Sequence, residues 1–183
     1  MAFSSLAEID NYMKENTCEF WEAVIREEAR DSQQPEMDIV NRMTQMYRAM
    51  KEADEAYDDT LTSHSGLSGK NGKKMADYAA THKCMCGEFG GAVMARAIKM
   101  AESNACMKRI VAAPTAGSCG VVPAILITYE RMTNTSENDM VKALFVAAGI
   151  GDVIARRASI SGARGGCQAE IGASSAMAAG ALA

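Results

Sequence analysis

Three features of the sequence predict an all-α protein. The 183 residues include 32 alanines and 14 methionines, both good helix formers. Prolines number only three, and few runs alternate Val, Ile or Thr with polar residues as strands require. The length suits one domain with a genuine core, so a single multi-helix globular domain over 1–183 is expected, with Gly/Ser-rich loops at helix N-termini.

Taken in order, Leu6, Ile9, Met13, Phe20, Val24 and Ile25 recur at near-helical spacing and predict one helix from Leu6 to about Ala29. Ser4 or Ser5 would cap it, with Glu8 in the first turn. Pro35 opens a second helix whose inner face holds Ile39, Met43, Met46, Tyr47 and Met50, the acids facing out. The two read as an antiparallel pair. Residues 61–73, LTSHSGLSGKNGK, break the pattern: three glycines and three serines make a loop whose backbone N–H groups can approach a ligand closely. Helices are expected again at about 73–81, 88–102 and 104–112. The run APTAGSCGVVP is a turn carrying Cys119, followed by a helix opened by Pro123, and another helix covers about 136–150. Six glycines then fall between Gly149 and Gly172, around SGARGGCQAE. The closing helix, QAEIGASSAMAAGALA, has no charge after residue 175, no polar cap and no proline. Its apolar face should pack against something, so the domain is expected to be incomplete at its C-terminus, or covered there by a second chain.

The net charge is −4, with 15 acids and six bases in residues 1–60 against eight and 13 in the rest. Without an arginine-rich run or interleaved aromatics, the basic part does not read as a nucleic-acid binder. No segment reaches the ~18–20 apolar residues of a membrane span. The N-terminus lacks the basic-then-apolar order of a signal peptide, so a cytoplasmic location is expected. In such a compartment six cysteines point to metal ligation, redox chemistry or plain burial rather than disulfides.

Cys119, in Gly117-Ser118-Cys119-Gly120, and Cys167, in Gly165-Gly166-Cys167, each precede a predicted helix, where backbone N–H groups favour a thiolate. Flanking glycines admit a bulky group such as a cluster. Their separation of 48 residues matches no CxxC rule, and ordinary burial is the competing reading. Cys84 and Cys86 form a CxC pair with no matching pair elsewhere. Cys18 and Cys106 fall inside predicted helices and read as core residues. Of the two histidines, His64 lies in the Ser/Gly loop and is the local candidate base. His82 ends a helix and can bond its last carbonyls. Lys70, Lys73 and Lys74 raise a pyridoxal-phosphate Schiff base, but the α/β pattern of such enzymes is missing.

Two longer runs carry more information. Asn104-Ala105-Cys106-Met107-Lys108-Arg109-Ile110-Val111-Ala112-Ala113-Pro114-Thr115-Ala116-Gly117-Ser118-Cys119-Gly120-Val121-Val122-Pro123 resembles the α chain of bacterial iron–sulfur L-serine dehydratases. So does Ala158-Ser159-Ile160-Ser161-Gly162-Ala163, continuing into Gly166-Cys167-Gln168-Ala169-Glu170, and Ser65-Gly66-Leu67-Ser68-Gly69 is similar to that family's Gly/Ser loop. The resemblance implies a lyase of amino-acid catabolism that removes water from L-serine at a [4Fe–4S] cluster held by three cysteines, giving pyruvate and ammonia. Cys119 and Cys167 correspond to two of those ligands. The third is expected in a Pro-Cys segment beyond Ala183. The loop residues Ser65, Gly66, Ser68 and Gly69 and the turn Thr115, Ala116 and Gly117 are expected to receive the substrate carboxylate and amino group. The resemblance also implies a β subunit as partner, the alternative source of the base to His64. Lys70 stands where relatives often have glycine. The rival readings are a related lyase acting on L-cysteine and a non-catalytic helical subunit with buried cysteines.

Overall fold

The computed structural model describes residues 3–183, and among these there are eight α-helices and no strand. The helices are α1 (Leu6–Asn16), α2 (Phe20–Ser32), α3 (Glu36–Glu55), α4 (Asn71–Ala79), α5 (Gly87–Ala105), α6 (Val121–Thr133), α7 (Glu137–Arg157) and α8 (Gly162–Leu182), with a 3-10 turn at Ala116–Ser118. The all-α expectation is met. The chain forms two compact units: residues up to Tyr47 together with Ser136–Ala183, and Arg48–Thr135.

In the first unit α7 packs against both α2 and α8, and α1 packs on α2. Ser5 is the cap of α1: its Oγ accepts the Glu8 N–H at 3.2 Å, while the Glu8 carboxylate takes the Ser4 N–H at 2.7 Å. The single helix predicted from Leu6 to Ala29 is in fact two. Thr17 adopts the left-handed conformation at φ 49° and ends α1. Glu19 then restarts the chain with a capping box shared with Glu22, a pairing that the usual Ser/Thr signal does not announce. Cys18 therefore lies in the joint, half-buried against Ile9, Ala23 and Val153, rather than inside a helix. The α2–α7 crossing is close at Gly149, where a Cβ would stand 2.6 Å from Val24 Cγ2. The closing helix starts earlier than predicted, at Gly162, with Ser161 Oγ accepting the Ala163 N–H. It is bent at Gly166, whose φ 71° and ψ 178° only glycine adopts without strain.

The second unit is built on α5, which packs against α4 and α6. Ala49, Met50 and Ala53 of α3, Ala95 and Met100 of α5, and Val122, Leu126 and Ile127 of α6 are buried. Beside this core the Asp54 carboxylate, 6% exposed, bridges Arg96 at 3.0 Å and Arg131 at 3.4 Å. The helix predicted over 104–112 does not form. Met107 turns left-handed at φ 59°, and the N–H groups of Met107 and Lys108 close back on the carbonyls of Asn104 and Ser103. Residues 108–115 then run without helix to Pro114 and the 3-10 turn. Cys106 is consequently the C-cap of α5 rather than an interior helical residue. The helix expected to open at Pro123 begins at Val121, so Pro123 occupies its first turn, where its missing N–H breaks no helical bond.

Candidate functional site

The C-terminal end of α5 organises three segments of the second unit through residues 100, 102 and 104. Met100 offers its carbonyl to the Cys119 thiol at 3.9 Å. The Glu102 carboxylate accepts the Tyr57 hydroxyl at 2.8 Å and the N–H groups of Asn71 and Gly72 at 2.8 and 3.0 Å, at the start of α4. Asn104 Nδ2 donates to the Ala116 carbonyl at 3.0 Å. The serine-rich loop, the 115–118 turn and Cys119, which lies just before α6, are thus all fastened to the C-terminal end of α5.

The loop itself is closed by internal bonds. Ser63 N–H donates to the Ser68 carbonyl at 2.7 Å, Gly66 N–H to the Ser63 carbonyl at 2.8 Å, and Ser68 N–H to Ser63 Oγ at 3.1 Å. The hydroxyls of Ser63 and Ser65 lie 3.1 Å apart. Gly66 has φ 73° with open space around it, whereas at Gly69 a Cβ would meet the Leu61 carbonyl at 2.6 Å. Ser65 and Gly66 are exposed, Ser68 and Gly69 half-buried, and His64 is exposed. In the turn, Thr115 and Ser118 join hydroxyls at 3.0 Å, leaving Ala116 and Gly117 exposed at its tip.

Cys119 is 2% exposed and packs with Ala53 and Met100, Ile110 lying against them. Burial pushes its thiol above the ordinary cysteine value. Gly120 lets α6 start directly on α5: a Cβ there would stand 2.6 Å from the Ala97 carbonyl oxygen. Cys167 belongs to the other unit and is exposed, immediately after the bend at Gly166. Cys84 is half-buried, and Cys86 is exposed at the N-cap of α5. His82 is exposed, in the left-handed conformation at φ 57°. Among the described residues no group of three or more His, Cys, Asp or Glu side chains stands close enough to hold a metal ion. Cys119 and Cys167 are suitable donors to iron in kind, but the described residues do not make a complete ligand set for a cluster.

Glu102 is the site residue that sequence reasoning missed. Its signal was present: it follows Gly91 and Ala95 at spacings of 11 and seven on the buried face of α5, where a carboxylate needs partners. Burial alone would raise its pKa, but the Gly72 N–H, the Tyr57 hydroxyl and the Asn71 N–H outweigh burial and hold it below the usual glutamate value. Tyr57 is correspondingly pushed up to about 12, by burial first and then by the bond to Glu102 and its charge.

An all-helical chain with this loop, turn and cysteine arrangement matches the serine dehydratase alpha chain family over residues 15–183 and belongs to it. It is 35% identical over 180 residues to the probable L-serine dehydratase, alpha chain of Bacillus subtilis (strain 168), covering 98% of this chain and 60% of that protein. The L-serine dehydratase, alpha chain of Peptoniphilus asaccharolyticus is 34% identical over 177 residues, or 96% of this chain and 60% of that one. L-serine dehydratase 2 of Escherichia coli (strain K12) is 43% identical over 88 residues, 48% of this chain and 19% of that protein. The chain therefore spans about 60% of the length of the two alpha chains it matches. No helix among the described residues is long and apolar enough to cross a membrane.

Proposed function

We propose that this chain is the serine-handling helical part of an L-serine dehydratase, an ammonia-lyase that eliminates water from L-serine to give pyruvate and ammonia. The observation that carries this reading is the match to two L-serine dehydratase alpha chains over nearly the whole of this sequence. Elimination needs three services: a grip on the substrate carboxylate and amino group, a base for the Cα proton, and help for hydroxide to leave. The exposed tip at Ala116–Gly117 and the loop residues Ser65, Gly66, Ser68 and Gly69 are suited to the first: the Gly66 and Ser68 N–H groups hold the loop closed, and the loop presents the Ser65 and Ser68 hydroxyls on a backbone that admits close approach. His64 is the candidate base on this chain, with a partner β subunit as the other source.

Cys119 and Cys167 would each give a thiolate to a [4Fe–4S] cluster whose remaining ligand comes from outside these 183 residues. Such a cluster, when bound, supplies a Lewis acid for the β-hydroxyl. The enamine released by elimination tautomerises and hydrolyses to pyruvate and ammonia without a further protein group.

The test is anaerobic reconstitution of the chain with its partner segments, iron and sulfide, followed by assay of pyruvate from L-serine. Cys119→Ser and Cys167→Ser are each expected to abolish both the iron–sulfur absorbance and turnover. Colourless wild-type protein without iron would overturn the cluster. His64→Ala with unchanged turnover would remove His64 as the base. The burial of Cys119 among apolar side chains supports a second reading, a helical subunit whose cysteines only pack. That reading predicts iron-free, inactive protein in the same experiment.

A further inference from the structure

The α4 N-terminus has no cap of its own. Lys70 stands at its N-cap position with φ 67° and gives no side-chain bond, so the first amide protons of the helix need an outside acceptor. Glu102 is that acceptor. Its carboxylate, 4% exposed, takes the first two N–H groups of α4 and the Tyr57 hydroxyl. Gly72 makes this possible: a Cβ there would lie 2.6 Å from Lys99 Cγ and 3.0 Å from the Lys99 backbone, so the first turn of α4 rests directly on α5. A negative charge at a helix N-terminus is favourable. With three donors converging on it, the carboxylate is committed to holding and is not poised to accept a proton from substrate.

We infer that Glu102, supported by Tyr57, is a positioning residue that latches the exit of the serine-rich loop in the conformation that receives substrate. The loop leaves Gly69 and enters α4 within two residues, so the two amides held by Glu102 mark its downstream end. Its upstream end is sealed at Leu61, against which Gly69 packs with no space for a side chain. Two residues after Glu102, Asn104 holds the Ala116 carbonyl of the exposed turn. Release of the latch would loosen the part of the loop expected to meet the substrate, leaving the chemistry of bound substrate largely intact. The assignment of the loop to substrate rests on the function proposed above; the latch does not.

The experiment therefore has two arms, run on wild type, Glu102→Gln and Tyr57→Phe. Glu102→Gln preserves shape but presents an amide N–H₂ to donors; Tyr57→Phe removes one donor and keeps the carboxylate. In the first arm, amide hydrogen exchange on the full chain is expected to show Asn71 and Gly72 exchanging roughly ten- to hundredfold faster in Glu102→Gln, the value set by losing a bond to a charged acceptor. Tyr57→Phe should give a smaller increase, and α7 amides should be unchanged in both, which verifies folding. Unaltered exchange at Asn71 and Gly72 would overturn the latch. In the second arm, the reconstituted enzyme is expected to show a KM for L-serine raised roughly tenfold or more in Glu102→Gln with kcat within about threefold of wild type. A normal KM with fast exchange, or a loss confined to kcat, would overturn the positioning role. Wild-type enzyme that ignores L-serine would sink the proposed function, and the exchange arm would still decide the latch.

Discussion

At Glu102 two opposed effects meet: burial penalises the charge, and three donors stabilise it. The donors win, so the folded pKa lies below the unfolded value of 4.5. The stabilisation is present above that value and is lost as pH falls through the lower folded one. Tyr57 has the opposite sign. Its folded pKa of about 12 exceeds the unfolded 10.0, so its contribution is present below 10.0 and lost as pH rises toward 12. Urea unfolding across pH should thus be flat near neutrality and weaken at both extremes. Tyr57→Phe should cost about 1–2 kcal/mol at neutral pH and remove part of the alkaline loss. Thiol reactivity is a second residue-level measure. Cys119 is buried with a raised pKa, whereas Cys86 and Cys167 are exposed. Alkylation of the native chain with iodoacetamide should label Cys86 and Cys167 first and Cys119 last, with mass spectrometry as the readout.

At the scale of elements, glycine serves different ends in different helices. Gly120 is a contact position, where a methyl group would collide with the Ala97 carbonyl; Gly172 lies inside α8 with nothing within 4 Å of an added Cβ. Gly120→Ala should therefore destabilise by about 1–3 kcal/mol, because α5 and α6 must part. Gly172→Ala should stabilise by about 0.5–1 kcal/mol through helix propensity. Thermal unfolding that moved both variants the same way would contradict this contrast. The helices were legible where an apolar stripe followed a strong start signal, as in α3 behind Pro35 and α7 behind Ser136, although α7 runs on to Arg157, beyond the end expected near 150. They were misread where the ends were set by backbone state. Thr17 and Met107 both turn left-handed, a state that residue type does not announce, and so α1 and α2 were read as one helix and a separate helix was expected over 104–112 where none forms.

For the whole molecule, composition was enough to point to the helical class, because helix propensity, weak at any one position, accumulates over 32 alanines and 14 methionines. The loop, the turn and the cysteines were visible as departures from helical periodicity, and the long runs around Cys119 and Cys167 were distinctive enough to point to the family that the chain proves to join. What the sequence concealed was the fastening. Glu102 lies 45 residues from Tyr57 and about 30 from Asn71 and Gly72, and no local spacing rule links groups so far apart. Such pairings exist only once α4 and α5 lie side by side.

Because the mounts for the loop, the turn and the Cys119 sulfur sit within five consecutive residues of α5, their motions share a single origin. A tilt of that turn displaces all three together, and whatever stiffens one spares the others part of their ordering entropy.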